Sequence, residues 1–429
     1  MAKLFDDRKV THCEIHPKIP IPSERKATGK APPYLLRACF GGIKKPFSMK
    51  ASPLAFSLIL ASALCLPPLH AEIRLGAVYS TSGDLAPIGV PSLEGAKTAV
   101  RQINAAGGID GEKVSLTILP TPSSVKVVSK DILEAVAKDP SIDAFFGLGD
   151  TDLARAAGRA ACSRGKVFVT SGATSPRLPV ESGPRVFLAC FGDNAQAAVA
   201  AEWLKKTRGA KTVALLYDSS KTYTNLLHTY FSEAFRHHGG KIIAVVPFVG
   251  GSVPVIPPSA LKADCVYLAA ETALNAQPII RALRDAGFHG PIVGGDGYDN
   301  PSAWNNTPLA HDLWYTSHAF PAHTKGAATA TTTASFSTAY TLTTGKPANS
   351  FAGLGRDTAL LLATAVHTAH AEKRSLVSVL NSTHDFPGVT GSISYTKGSR
   401  VPVKPVALVS ARNPQAQPIQ ITPSWVPKP

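Results

Sequence analysis

From residue 72 onward the chain switches repeatedly between short apolar runs and longer stretches in which apolar residues recur every three or four positions. Runs of the first kind predict strands, and stretches of the second kind predict helices. Residues 73–79 read as an apolar strand. Over 91–106, Leu93, Ala96, Val100 and Ile103 share one helical face, and Gly107-Gly108 stops the helix. Val114, Leu116 and Ile118 alternate as a strand does, and Val125, Val128, Ile132 and Val136 line the next helix. A strand over 144–148, a helix over 152–164 and a strand over 167–170 complete a first series.

A second series repeats the pattern. It predicts helices over 195–206, 224–238 and 274–286, the last two closed by Gly239-Gly240 and Gly287. Strands are expected over 212–217, 241–248, 265–269, 291–293 and 313–316. Two more helices over 328–343 and 357–370 and alternating segments over 391–395 and 406–409 end the chain. Strands alternating with helices pack as parallel sheets covered on both faces, so the fold class is α/β with two doubly wound lobes of similar build.

Composition changes this picture at one end only. The 429 residues carry 44 Lys+Arg against 29 Asp+Glu, which invites a nucleic-acid reading, but residues 1–71 alone hold eleven basic and four acidic residues. There, Lys44, Lys45 and Lys50 precede an uncharged run over 51–69 that ends in Leu69-His70-Ala71. A basic stretch, an apolar core and a small residue before an acidic start are the parts of a secretory signal, here residues 49–71 cleaved after Ala71. The apolar core over 54–66 is short for a bilayer of ~30 Å. Leu64 stands where a lipid anchor at Cys65 would need a small residue. Translation is expected to start at Met49, leaving 1–48 as a spurious or disordered extension. The remaining basic excess is dispersed without aromatic interleaving, which argues against nucleic-acid binding.

Cys162, Cys190 and Cys265 remain after cleavage, an odd number. Each sits in an apolar stretch, so buried small hydrophobes are expected and no disulfide framework.

In open α/β sheets ligands bind beyond the carboxyl ends of the strands. Three such loops are rich in hydroxyls and glycine: residues 79–84, 147–152 and 170–175. Glycine lets the backbone approach a ligand, and a helix start favours a carboxylate. Ser, Thr and Asp are also the preferred helix caps, so each loop alone reads first as a cap, while three hydroxyl-bearing loops at consecutive strand ends together favour a site. No Gly-x-Ser-x-Gly elbow or phosphate loop occurs, and Gly147-x-Gly149 lacks the third glycine of a dinucleotide fingerprint. His367 with His370 and His237 with His238 have no acidic or Cys cluster near them in sequence. Neither a metal, a cofactor nor an enzymatic activity is expected.

These residues together resemble the type 1 periplasmic solute-binding proteins of ABC importers, in the leucine/isoleucine/valine-binding group. The resemblance runs through Arg74-Leu-Gly-Ala-Val, residues 82–89, Gly95-Ala96 and residues 103–111. It continues through residues 169–176, Tyr217-Asp218 with Tyr223, residues 294–297 and residues 388–391. It implies two lobes joined by a multi-strand hinge, the first from 72–190 plus 321–385 and the second from 191–320 plus 386–429, closing over a solute. Carried over residue by residue, Thr151 meets the ligand carboxylate, and Gly172 and Thr174 hold carboxylate and ammonium. Tyr223 covers the ligand, Asp296 pairs with the ammonium where the family usually has Glu, and Ile88 stands where an aromatic often shields the side chain.

The chain departs from the family at Glu271, a position commonly aromatic or small, and at Asp150 and Asp152, which flank Thr151. Such extra acids either select a cationic or polar solute or cap the helix. The family's early disulfide has no counterpart, because residues 120–124 read Pro-Thr-Pro-Ser-Ser. The resemblance implies a monomeric periplasmic protein that binds an amino acid and hands it to an ABC permease. A sensor of the same fold feeding a signalling partner is the alternative.

Overall fold

The computed structural model describes residues 72–318, 330–396, 398–413 and 418–429. The signal-like stretch 49–71, the extension 1–48 and the expected crossing at 320–321 lie outside them.

The first lobe is built on an all-parallel sheet of β1 (Ile73–Ser82), β2 (Val114–Pro122), β3 (Ala144–Gly147), β4 (Val167–Thr170) and β5 (Val186–Leu188). Its order is β2-β1-β3-β4-β5. The second sheet contains β6 (Thr212–Asp218), β7 (Lys241–Phe248), β8 (Cys265–Ala269), β9 (Ile292–Gly294), β10 (Leu313–Ser317), β11 (Val406–Ser410) and β12 (Ile419–Ile421). The order is β12-β11-β10-β9-β8-β6-β7. Strands β6 to β10 are parallel, while β11, expected only as an alternating segment, and β12, which was not expected, add an antiparallel edge.

Apolar side chains cover both faces of each sheet. Leu75, Phe146 and Val169 pack on one face of the first sheet and Val78, Phe145 and Phe168 on the other. Leu216 and Leu268 oppose Leu215 and Tyr267 across the second. This explains why β3 and β4 are buried at every position, as parallel strands between helical layers are. Each sheet has a switch point, where successive strands leave in opposite directions: β1 between β2 and β3, and β6 between β7 and β8. The loops after β1, β3, β6 and β8 therefore border a crevice.

Two helices begin earlier than their periodicity predicts. Helix Ala86–Ala105 starts ahead of Pro91, with Pro87 in its first turn, where a missing N–H is harmless. Pro91 is tolerated inside it, and the Ser92 hydroxyl donates to the Ile88 carbonyl at 2.9 Å. Helix Ser350–Ala371 starts seven residues before Asp357, capped by the Asn349 side chain, which accepts from the Ala352 N–H at 3.0 Å. Gly353 and Gly355 hide this first turn from propensity. Their neighbourhood shows the purpose: a methyl group on Gly355 would overlap the Ser92 carbonyl, and one on Gly95 would overlap that of Ala352. The two helices touch backbone to backbone.

The segment after residue 385, assigned above to the second lobe, packs first against the first lobe. Ile393 and Tyr395 belong to its core, and the Tyr395 hydroxyl donates to the Leu188 carbonyl at 2.7 Å. Only from β11 does the chain join the second sheet. Cys190 and Cys265 are buried free thiols as expected, whereas Cys162 is only partly buried.

Candidate functional site

The crevice is lined from the first lobe by Leu85, Ile88, Gly149, Asp150, Thr174 and Phe351, and from the second by Tyr223, Glu271, Asp296 and Gly297. The void between them is about 10 Å³, about the space of one water. A larger solute enters only if the lobes part.

On the first lobe, the chain leaves β3 through Leu148, a non-glycine residue held at a φ of 60°. Such strain persists where surroundings over-determine it. Here the Leu148 N–H donates to Val78, and its carbonyl accepts from the Gly172 N–H at 3.0 Å and the Thr170 hydroxyl at 3.1 Å. The turn delivers Asp150 as the cap of helix Thr151–Ser163, one carboxylate oxygen accepting from the Leu153 N–H at 2.8 Å. Thr151 follows, 1% exposed, its hydroxyl without a hydrogen-bond partner. An unmet buried hydroxyl costs ~1–3 kcal/mol.

On the second lobe, Asp296 follows β9 and is 4% exposed. Its Oδ1 accepts from the Tyr223 hydroxyl and from Gln196 Nε2, both at 2.8 Å, and its Oδ2 from His318 Nε2 at 3.0 Å. A carboxylate has about four acceptor positions, so one is left for a ligand donor. Gln196 is itself pinned: its Oε1 accepts from the Asp296 N–H at 3.1 Å and the Thr316 hydroxyl at 2.5 Å. Its Nε2 also donates to Asp193 at 3.0 Å. Burial pushes the Asp193 carboxyl up to about 8; the Thr174 hydroxyl opposes this and the Asp296 charge adds to it. Asp193 is thus largely a neutral acid at pH 7. The His318 ring stacks on Phe191 at 3.9 Å.

Glu271, after β8, forms a second acidic cluster with Asp150 across the crevice. Lys221 Nζ lies 2.8 Å from Glu271 Oε2, and Oε1 has no donor. Burial, then the Asp150 charge, raise Glu271 to about 8 despite Lys221. Other ties join the lobes directly. The Thr222 hydroxyl donates to Asp152 at 2.6 Å, and the Ser350 hydroxyl donates to Asp299, which also accepts from Ser317 of its own lobe.

Residues 72–416 match the family model described as Periplasmic binding protein. The chain belongs to the periplasmic binding protein family. Among members similar to it, the Leu/Ile/Val-binding protein homolog 3 of Brucella melitensis is 30% identical over 239 residues, 55% of this chain and 64% of that protein. The match thus spans less than two thirds of that relative. The Leu/Ile/Val-binding protein BraC3 of Rhizobium johnstonii is 26% identical over 261 residues, 57% of this chain and 67% of that protein. The crystal structure of the branched-chain amino acid transporter substrate binding protein LivJ from Streptococcus pneumoniae, in complex with isoleucine, superimposes with a TM-score of 0.71 at 25% identity. That superposition covers 83% of this chain and all of the LivJ chain.

Of the residues singled out from the sequence, Ile88, Thr174, Tyr223, Glu271 and Asp296 line the crevice together. Thr151 stands beside Asp150 at the start of its helix, and Gly172 lies below the lining, its N–H donating to Leu148. Sequence reasoning did not single out Leu85, Phe351, Lys221, Asp193, Gln196 or His318. Gln196 and His318 act on Asp296 across 100 and 22 residues of chain, beyond any local spacing signal. His367 sits between Asp110 and Glu112, at 3.0 and 3.1 Å, acids remote from the helix in sequence terms. Among the described residues no cluster suited to a metal ion forms, and no helix is long and apolar enough to cross a membrane.

Proposed function

We propose that this periplasmic binding protein is an exported solute-binding protein, acting as a monomer, that captures a small amino acid between two closing lobes and delivers it to an ABC permease. In this reading the first lobe comprises 72–190 and the chain from 321 to the start of β11, and the second comprises the rest. The signal-like stretch 49–71 supports export, and the names of the relatives support an amino-acid ligand.

The observation that carries the reading is the Asp296 carboxylate, held at the crevice wall by Tyr223, Gln196 and His318 with one acceptor position open. A buried fixed carboxylate replaces the water around an α-ammonium. Thr151 and Thr174, on the facing lobe, offer hydroxyls to the α-carboxylate. Leu85, Ile88 and Phe351 give the solute side chain an apolar wall. The solute touches both lobes only when they are together, so its binding shifts the population toward closure.

The reading is one of binding, in keeping with the periplasmic binding protein family to which the chain belongs. A thermal-shift screen of the purified protein over the proteinogenic amino acids tests the proposal, since a ligand of the folded state raises the melting temperature by mass action. At least one amino acid is expected to raise it in a saturable way, confirmed by calorimetry. A screen in which none does so removes the proposal.

A further inference from the structure

We propose, on the basis of that amino-acid-binding reading, that the solute is a basic amino acid and that Asp150 and Glu271 form the subsite for its side-chain cation. Three carboxyl groups and no Lys, Arg or His line the crevice. An ordinary zwitterion brings one ammonium, which Asp296 receives. Nothing in such a ligand answers the other two acids.

Their oxygens outnumber the donors that serve them. Glu271 lines the crevice at 6% exposure, its Oε2 paired with Lys221, its Oε1 without a donor and its carboxyl within hydrogen-bonding reach of Asp150. Asp150 spends one oxygen on the Leu153 N–H. Arg155, the next cation on the first lobe, is held by Asp152 at 2.6 Å and Glu181 at 2.9 Å. Lys221 is also drawn by Asp218. One cation therefore serves two facing carboxyls, and two acceptors this close require a shared proton or a guest donor between them. The raised Glu271 group, at about 8, is the proton-filled state. An ammonium or guanidinium supplies both the charge and several N–H donors.

The length also fits. Leu85, Ile88 and Phe351 lie along the same wall, a surface for a methylene stem. Leu85 and Asp150 also border an outer depression of about 440 Å³, whose rim carries Asp152 together with Lys221, Arg155 and Arg159.

The test is calorimetric titration of the purified protein at pH 7 with lysine, ornithine and arginine against leucine and valine. Basic ligands are expected to bind at least tenfold more tightly than neutral ones. Their binding should release protons, read as a dependence of the heat on buffer ionisation enthalpy, because the ligand cation displaces the shared proton. E271Q should bring the basic-to-neutral affinity ratio toward one, and D150N, which keeps the helix cap, should lower it in the same direction. Melting curves confirm that both variants fold. Leucine or valine binding as tightly as lysine, or an unchanged ratio in folded E271Q, overturns the subsite while leaving amino-acid binding intact. Binding of no amino acid overturns both.

Discussion

Two carboxyl clusters border one crevice, and they are held in different ways. Around Asp296 every partner comes from the second lobe or the segment entering it, and Tyr223, Gln196 and His318 use up all but one acceptor position. This cluster is built before any solute arrives. The cluster of Asp150 and Glu271 exists only when the lobes meet, and it leaves Glu271 Oε1 without a donor. On the proposed reading, the difference separates a pre-organised anchor from a contact completed by closure, with selectivity assigned to the second.

The largest expected effect falls on the anchor. Asp296→Ala removes the ammonium partner and should weaken amino-acid binding by roughly 30-fold to several thousand-fold, from ~2–5 kcal/mol for a broken buried charge pair. Calorimetry that finds undiminished affinity would break the distinction between the clusters.

Next comes a pH effect. Asp193 has a raised value in the folded protein, about 8 against 3.8 for the ordinary group. Its contribution to stability is therefore present below about pH 4 and is lost as pH rises toward about 8. Glu271 acts in the same direction. The melting temperature should fall over that window, and Asp193→Asn should flatten the slope by up to ~1.4 kcal/mol per pH unit. A slope unchanged in that variant would show that Asp193 is not the buried neutral acid described.

Tyr223→Phe deletes one donor to the Asp296 carboxylate. The cost is ~1.5–3 kcal/mol for a hydrogen bond to a charged group, read first as a lower melting temperature of the unliganded protein and, through a less firmly held carboxylate, as a smaller loss of affinity than in Asp296→Ala. The smallest effect belongs to the lobe-closing contacts. Thr222→Val removes the hydroxyl that reaches Asp152 and should weaken binding only a few-fold, ~0.5–1.5 kcal/mol. Small-angle scattering of the unliganded variant should show a shift toward open lobes.

Much of this architecture could be read in the chain itself, because strand and helix periods leave distinct apolar patterns. The pattern failed where a residue served packing between elements instead of its own element. Gly353 and Gly355 weaken a helix locally yet allow it to reach its neighbour, so the start of Ser350–Ala371 was invisible. The antiparallel β11 and β12 carry the same alternation as parallel strands, and only their pairing partners reveal direction. At the site, Asp296 and Tyr223 were legible through a resemblance of motifs. Gln196 and His318 were not, because their meaning lies in a hydrogen-bond network assembled by the topology. Asp150 could be read as a cap or as an extra acid, and in the structure it caps its helix and also borders the crevice.

The backbone contact between helices Ala86–Ala105 and Ser350–Ala371 has a consequence for how ligand preference can drift. Ile88 and Phe351 ride on these two helices, whose separation is fixed by Gly95 and Gly355 with no side chain left to shorten or lengthen between them. The floor of the apolar wall cannot be nudged in or out by distant substitutions. On the proposed reading, a change of solute size on that side comes most directly from exchanging residue 85, 88 or 351 itself, positions that act as dials on a rigid frame.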